Sequence, residues 1–282
     1  MWVLLVLFYG VIKGARDVIK KLALEKNSVM EVLLVYTLLG LLMLLPDVKN
    51  VGGVRPQLYW LIILKSFVIF LAWSFSFVSI KKLPVSLYGV LDLSRVLFST
   101  MLGVCVLNET IGPNNAIGLI LVCAGLFMLG RRKASVTTST VERIPAKFFI
   151  LAFASCMLNS VSALLDKLLT SQITSSQLQF WYMLFLVLMY LIFIIVTRTH
   201  ISLSVFKNIY VWALAIMFIA ADKALFIANA SSDSKITIMT LVKQSACIVM
   251  IIGGKIVFKE KDILYKLMCA FVVIAGIVIS LL

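Results

Sequence analysis

The chain has 282 residues, of which 62% are hydrophobic and 13% charged, with a mean hydropathy of +1.11. A soluble domain carries about 45–50% apolar and about 25% charged residues, so this composition excludes one and implies a polytopic membrane protein. In a soluble chain the formal net charge of +14 would suggest a nucleic-acid partner; here it is assigned to Lys and Arg kept on one side of a bilayer, and no nucleic-acid partner is expected.

Taken in order, ten apolar segments are long enough to span a bilayer as helices: Trp2–Leu24, Val29–Leu45, Leu58–Ile80, Val85–Leu107, Asn115–Leu129, Phe148–Leu169, Gln177–Val196, Ile209–Asn229, Ile236–Phe258 and Ile263–Leu282. The first lacks a basic leader and a small-residue cleavage site, so a spanning helix is expected there and a cleaved signal peptide is not. Pro46, Pro56, Pro84, Pro113 and Pro145 all fall at segment ends or in loops, so no segment is expected to be broken. Cys105, Cys123, Cys156, Cys247 and Cys269 lie inside apolar segments without Cys-x-x-Cys spacing and read as small core residues. With His200 the single histidine, there is little material for a metal site. No nucleophile–base pair or phosphate-cradling glycine loop appears either, so neither an enzyme nor a bound cofactor is expected, a coupling proton excepted.

Between the fifth and sixth segments, residues 131–147 are basic and rich in Ser and Thr, a linker that divides the chain into 1–130 and 148–282. The halves align weakly on each other. Lys21, Ser28 and Tyr36 fall on Lys167, Thr174 and Tyr182, and Ser94, Gly103, Glu109 and Gly125 fall on Ser245, Gly254, Glu260 and Gly276. Five crossings per half is an odd number, so the second half enters the membrane from the opposite side. The expected fold is therefore all-α, with ten transmembrane helices as two inverted five-helix repeats and a site near the midplane between them. The loops after odd-numbered segments hold Lys26, Lys81, Lys82, Arg131, Arg132, Lys133, Arg143, Arg198, Lys207, Lys259 and Lys261, against Lys49, Arg55, Lys167 and Lys235 on the other side. The positive-inside rule places those odd loops in the cytoplasm and both termini outside, in what is expected to be a bacterial inner (plasma) membrane.

Charges inside these segments point to function, since each costs about 2.5–3.5 kcal/mol to insert. On the first segment Lys13, Arg16, Asp17 and Lys20 share one face; the plain alternative is that Lys20 and Lys13 snorkel to the interface while Arg16 and Asp17 find neighbours. Asn159, Ser162 and Asp166 repeat that spacing on the sixth. On the fourth, Tyr88, Asp92, Arg95 and Ser99 form a stripe, in which Asp92 and Arg95 are also placed to neutralise each other. Its counterpart on the ninth is Thr240, Lys243, Gln244 and Cys247; Lys243 lacks a local acid, and Asp92 is its first expected partner. Lys65, Asp222, Lys223 and Asn229 add further polarity. Among the deep groups cations outnumber carboxylates, which favours an anionic or zwitterionic solute. The pattern Gly10-x-x-x-Gly14 reads as helix packing.

Val-Leu-Asn-Glu-Thr at 106–110, the matching Val-Phe-Lys-Glu-Lys at 257–261 and the two five-segment halves resemble the EamA-type members of the drug/metabolite transporter superfamily. The resemblance spans the whole chain and implies a secondary transporter whose cavity is lined by helices three, four, eight and nine with one and six. The family's helix-closing acidic residue matches Glu109 and Glu260. It also implies cytoplasmic termini, against the loop count, and Tyr9-Gly10 stands where the family commonly has Trp-Gly.

The reading from sequence is thus a transporter of a small-molecule solute in a lipid bilayer, with a homodimer left open. Arg16, Arg95 and Lys243 would hold the solute's anionic group and Tyr88 and Gln244 would orient it; Asp92 or Asp17 would release the cations or carry a proton, and Lys223 is a further candidate substrate-binding residue. The alternatives are a proton-coupled exporter of cationic compounds and, in a different class, a lipid-handling or non-transporting membrane subunit.

Overall fold

The computed structural model describes residues 2–107, 112–135, 144–170, 172–229 and 242–281. The helices are α1 (Trp2–Lys26), α2 (Val29–Leu44, continued by a 3₁₀ turn over Leu45–Asn50), α3 (Leu58–Lys82), α4 (Val85–Asp92), α5 (Arg95–Leu107) and α6 (Pro113–Ser135). They are followed by α7 (Ala146–Thr170), α8 (Ser175–Thr197), a 3₁₀ turn over Leu203–Lys207, α9 (Ile209–Asn229), α10 (Ser245–Phe258) and α11 (Ile263–Leu281). No strand occurs among the described residues. Val29–Asn50, Leu58–Lys82, Val85–Leu102, Ala146–Thr170 and Ser175–Thr197 are long and apolar enough to cross a membrane. The charges Lys13, Arg16, Asp17 and Lys20 set α1 apart from them. Glu109, Thr240 and residues 136–143 of the linker lie outside the described residues, though α6 runs on to Ser135, past the expected end at Leu129, and starts at Pro113, where a missing N–H costs a helix nothing.

Two capping boxes stand at equivalent places in the two halves of the chain. The Ser28 hydroxyl accepts the Glu31 N–H (3.3 Å) while the Glu31 carboxylate accepts the Ser28 N–H (2.7 Å); Thr174 and Gln177 do the same at 3.3 and 2.9 Å. Each satisfies N–H groups that the first helical turn leaves without intrahelical partners. Each box also reaches the other half. Glu31 accepts the Ser202 N–H (2.8 Å) and the Gln177 amide donates to the Gly52 carbonyl (2.5 Å).

The helices pack with the same reciprocity: α1 lies on α9 as α7 lies on α3, while α2 meets α8, α4 meets α10 and α6 meets α11. Small residues set the closest crossings. A Cβ on Gly14 would come within 2.6 Å of the Ala246 carbonyl and 2.7 Å of the Val249 Cβ, so Gly10-x-x-x-Gly14 is the face on which α10 rests. Gly125 and Gly276 do likewise where α6 crosses α11, with Val273 and the Gly118 carbonyl 2.6 and 2.7 Å from their absent Cβ atoms.

One expectation is overturned. The fourth segment is broken, α4 ending at Asp92 and α5 starting at Arg95, with Leu93 and Ser94 in a turn. There the Leu93 and Ser94 N–H groups bond back to the Val90 and Leu91 carbonyls, at 3.2 and 3.0 Å, a tightening to the 3₁₀ pattern. In that pattern residues i and i+3 eclipse, which sets Asp92 directly against Arg95; no proline is needed. The counterpart segment also departs from the helix, at Gln244 just before α10.

Replacing Gly14 by Leu drives a side chain into the α10 backbone and is expected to cost about 1–3 kcal/mol, read as a lowered melting temperature in detergent. Gly52→Ala, whose Cβ meets nothing within 4 Å, leaves the melting temperature unchanged.

Candidate functional site

The break between α4 and α5 carries the centre of the charged interior. Asp92 is gripped on both oxygens: Lys13 of α1 donates to Oδ2 at 2.7 Å and Arg95 of α5 donates to Oδ1 at 2.8 Å. Its side chain is only 11% exposed, so both bonds act where water screens them little. The expected Asp92–Lys243 pair is not formed, because Lys13 reaches Asp92 from α1. Instead the Lys243 ammonium lies 5.9 Å from the centre of the Tyr9 ring, with no carboxylate within ion-pair distance among the described residues. Gln244 occupies the turn that precedes α10.

Neither Lys13 nor Lys20 snorkels away. Lys20 is buried, 2.5 Å from Asp17 and 4.7 Å from the centre of the Phe77 ring. Burial favours this pairing, since the two charges sit on one helix face three residues apart and each offsets the other's desolvation. Arg16, beside them, lies over the Phe218 ring of α9 at 5.4 Å, in a group with Tyr36 and Trp73 whose ring centres are 5.6 to 5.8 Å apart. One terminal nitrogen of Arg16, Nη1, is buried without a hydrogen-bond partner among the described residues, and so is Nε of Arg95.

On α3, Lys65 is held by Asp166 (2.5 Å) and Ser162 (3.1 Å) of α7. Asp222 of α9, one turn beyond Phe218, has neither a hydrogen bond nor an ion pair among the described residues; its charge interacts at longer range with Arg16, Lys65, Asp166 and Lys243. The structure thus brings Arg16, Asp17, Asp92, Arg95 and Lys243 into one interior region. Tyr88 is buried beside Asp92, but its hydroxyl is committed to Ser76 at 2.7 Å. Lys223 lies on the exposed side of α9. Lys13 is the site residue that sequence reasoning undervalued; its place on the Lys13–Lys20 stripe was visible, whereas its partner depended on which helix packs on α1.

Asp92→Asn leaves the largely buried Lys13 and the one-third-exposed Arg95 without their counter-ion and is expected to destabilise the protein by about 2–3 kcal/mol. Lys13→Met in the same background should restore part of that loss, measured by chemical denaturation in detergent; strictly additive effects would exclude the pairing.

Against known proteins, residues 1–131 match the model of the EamA-like transporter family. No curated protein matches the chain. Among 27 matching chains of solved structures is one described as "Crystal structure of protein". It aligns over 98% of this chain and 94% of its own, with a TM-score of 0.67 and 12% identity, a likeness of fold over nearly the full length. The resemblance read from the helix-end motifs is thus met over residues 1–131, which are similar to the EamA-like transporter family of the drug/metabolite transporter superfamily, and the apolar helices point to an integral membrane protein.

Proposed function

We propose that the chain is a secondary transporter that moves a small anionic or zwitterionic solute by alternating access between two inverted five-helix halves. The observation that carries this is the Asp92 carboxylate clamped between Lys13 and Arg95 at a break in a spanning segment. A protein tolerates such charge in a bilayer where it serves a solute or ion path. Asp92 acts as a stand-in for a solute anion, holding the two cations in place and neutralised until a solute competes for them. Arg16, Arg95 and Lys243 each keep bonding capacity unspent, so the site has donors to offer an anion without first breaking its whole network. The rings of Tyr36, Trp73 and Phe218 beside Arg16 would pack the apolar part of the solute.

The inverted arrangement is supported by the paired capping boxes, the matching glycine crossings and the two segment breaks. The loop charges support cytoplasmic odd loops and outward termini. Asp17 and Asp92 are both engaged by cations, so the carboxylate best suited to carry a coupling proton is Asp222. That no contact partner holds it among the described residues is also the observation that favours the alternative, a proton-coupled exporter of cationic solutes.

The purified protein is tested by thermal shift against amino acids, organic acids, sugar phosphates and organic cations, and any stabilising solute is then followed by uptake into proteoliposomes. An anion or zwitterion is expected to stabilise the protein, with Arg95→Ala and Lys243→Ala each weakening binding by about ten-fold or more. Stabilisation by cations alone, or transport untouched by both substitutions, would overturn the assignment. In the alternative, Asp222→Asn abolishes transport and Lys243→Ala leaves it intact.

A further inference from the structure

Helix α4 starts without a cap of its own. Pro84 stands at the N-cap position and offers no side-chain acceptor, leaving the first N–H groups of α4 to be satisfied from elsewhere. The acceptor comes from the other half of the chain. The Glu260 carboxylate, just past the end of α10, accepts the Val85 N–H at 2.6 Å and the Ser86 N–H at 3.2 Å, together with the Ser86 hydroxyl. Lys266 of α11 closes the cluster, donating to Ser86 Oγ at 2.6 Å and to Glu260 at 3.2 Å. Negative charge at a helix N-terminus is stabilised by the helix dipole as well as by the hydrogen bonds.

The same short helix ends at Asp92. It is thus pinned at its start by Glu260 and at its finish by Lys13 and Arg95, with the turn at Leu93–Ser94 as a joint to α5. Its last turn also covers Cys156 of α7, which is 1% exposed and whose sulfur lies 3.8 Å from both the Leu91 carbonyl and Asp92 Oδ1.

We propose that α4 is a gate, and that Glu260 is the positioning residue that latches it shut. Release of the carboxylate frees the N-terminus of α4 to swing about the Leu93–Ser94 turn, opening a path from that end of the bundle to Asp92 and weakening the hold of Asp92 on Lys13. The latch and the charged site are therefore the two ends of one rigid two-turn lever. A solute anion that takes Lys13 from Asp92 loosens the same helix from inside. The proposal rests on the alternating-access reading, and its test needs no solute: a failed transport assay leaves it standing, and a failed gate leaves the charged site standing.

The reporter is Cys156, kept as the single cysteine in the full-length protein and reacted with a charged maleimide in detergent. A matching chain that keeps only Cys269, buried on α11, reports general loosening. Glu260→Gln is expected to raise the labelling rate of Cys156 by about ten-fold or more, because charge-assisted bonds to the helix start are lost, while Cys269 stays protected. Lys266→Met, which leaves the carboxylate on Val85 and Ser86, gives a smaller rise in the same direction. A third chain adds Ser86→Cys and Gly254→Cys to the Cys156 reporter. The Cβ built on Gly254 falls 3.2 Å from that of Ser86, close to the ~3.5–4.5 Å a disulfide spans. Oxidised, this chain should keep Cys156 protected even with Glu260→Gln. Unchanged Cys156 labelling in both latch variants, or an equal rise at Cys269 in both, overturns the gate.

Discussion

An ionised carboxylate inside a membrane protein is costly unless it is paired, and in this chain Asp92 has a cation partner on each oxygen. Its two oxygens take cations from different places, Lys13 on α1 and Arg95 across the break that begins α5. Much else follows. The turn at Leu93–Ser94 brings Arg95 into register with Asp92, and α1 must lie near α4 for Lys13 to arrive. The close approach of α1 to its neighbours is possible because Gly10 and Gly14 present no side chains to α10. A charge requirement and a packing requirement are met by adjoining faces of one helix.

The same economy governs the ends of the bundle. Helix starts need acceptors, and the two halves supply them to each other as well as to themselves. Glu31 closes its own capping box and also holds the Ser202 N–H of the other half, while Glu260 serves α4, whose Pro84 cannot cap it. Contacts of this kind add a few polar links to the apolar core that the two halves share where α1 lies on α9, α3 on α7 and α6 on α11.

Several features were legible from the residues alone. Apolar segments and their lengths gave most helices to within a few residues, because bilayer thickness and backbone hydrogen bonding leave a spanning segment few alternatives. The Ser28/Glu31 box was half visible in the alignment of Ser28 on Thr174, and Gly10-x-x-x-Gly14 was correctly assigned to packing. The pairings were not legible. Asp92 goes to Lys13 rather than Lys243, Tyr88 spends its hydroxyl on Ser76, and Lys223 points away from the group. Glu260 looked like a marker of a helix end and proved to be the cap of another helix 174 residues away.

Sequence by itself determined that this is a helical membrane protein, where its charges lie along each helix and which faces they share, since periodicity and transfer free energy act locally and can be read from neighbouring residues. Only the tertiary structure decided which of those charges meet and where the fourth segment breaks. Partner choice depends on which helices touch and how closely, and that is settled by the absent side chains of Gly10, Gly14, Gly125 and Gly276 acting between helices far apart in the chain.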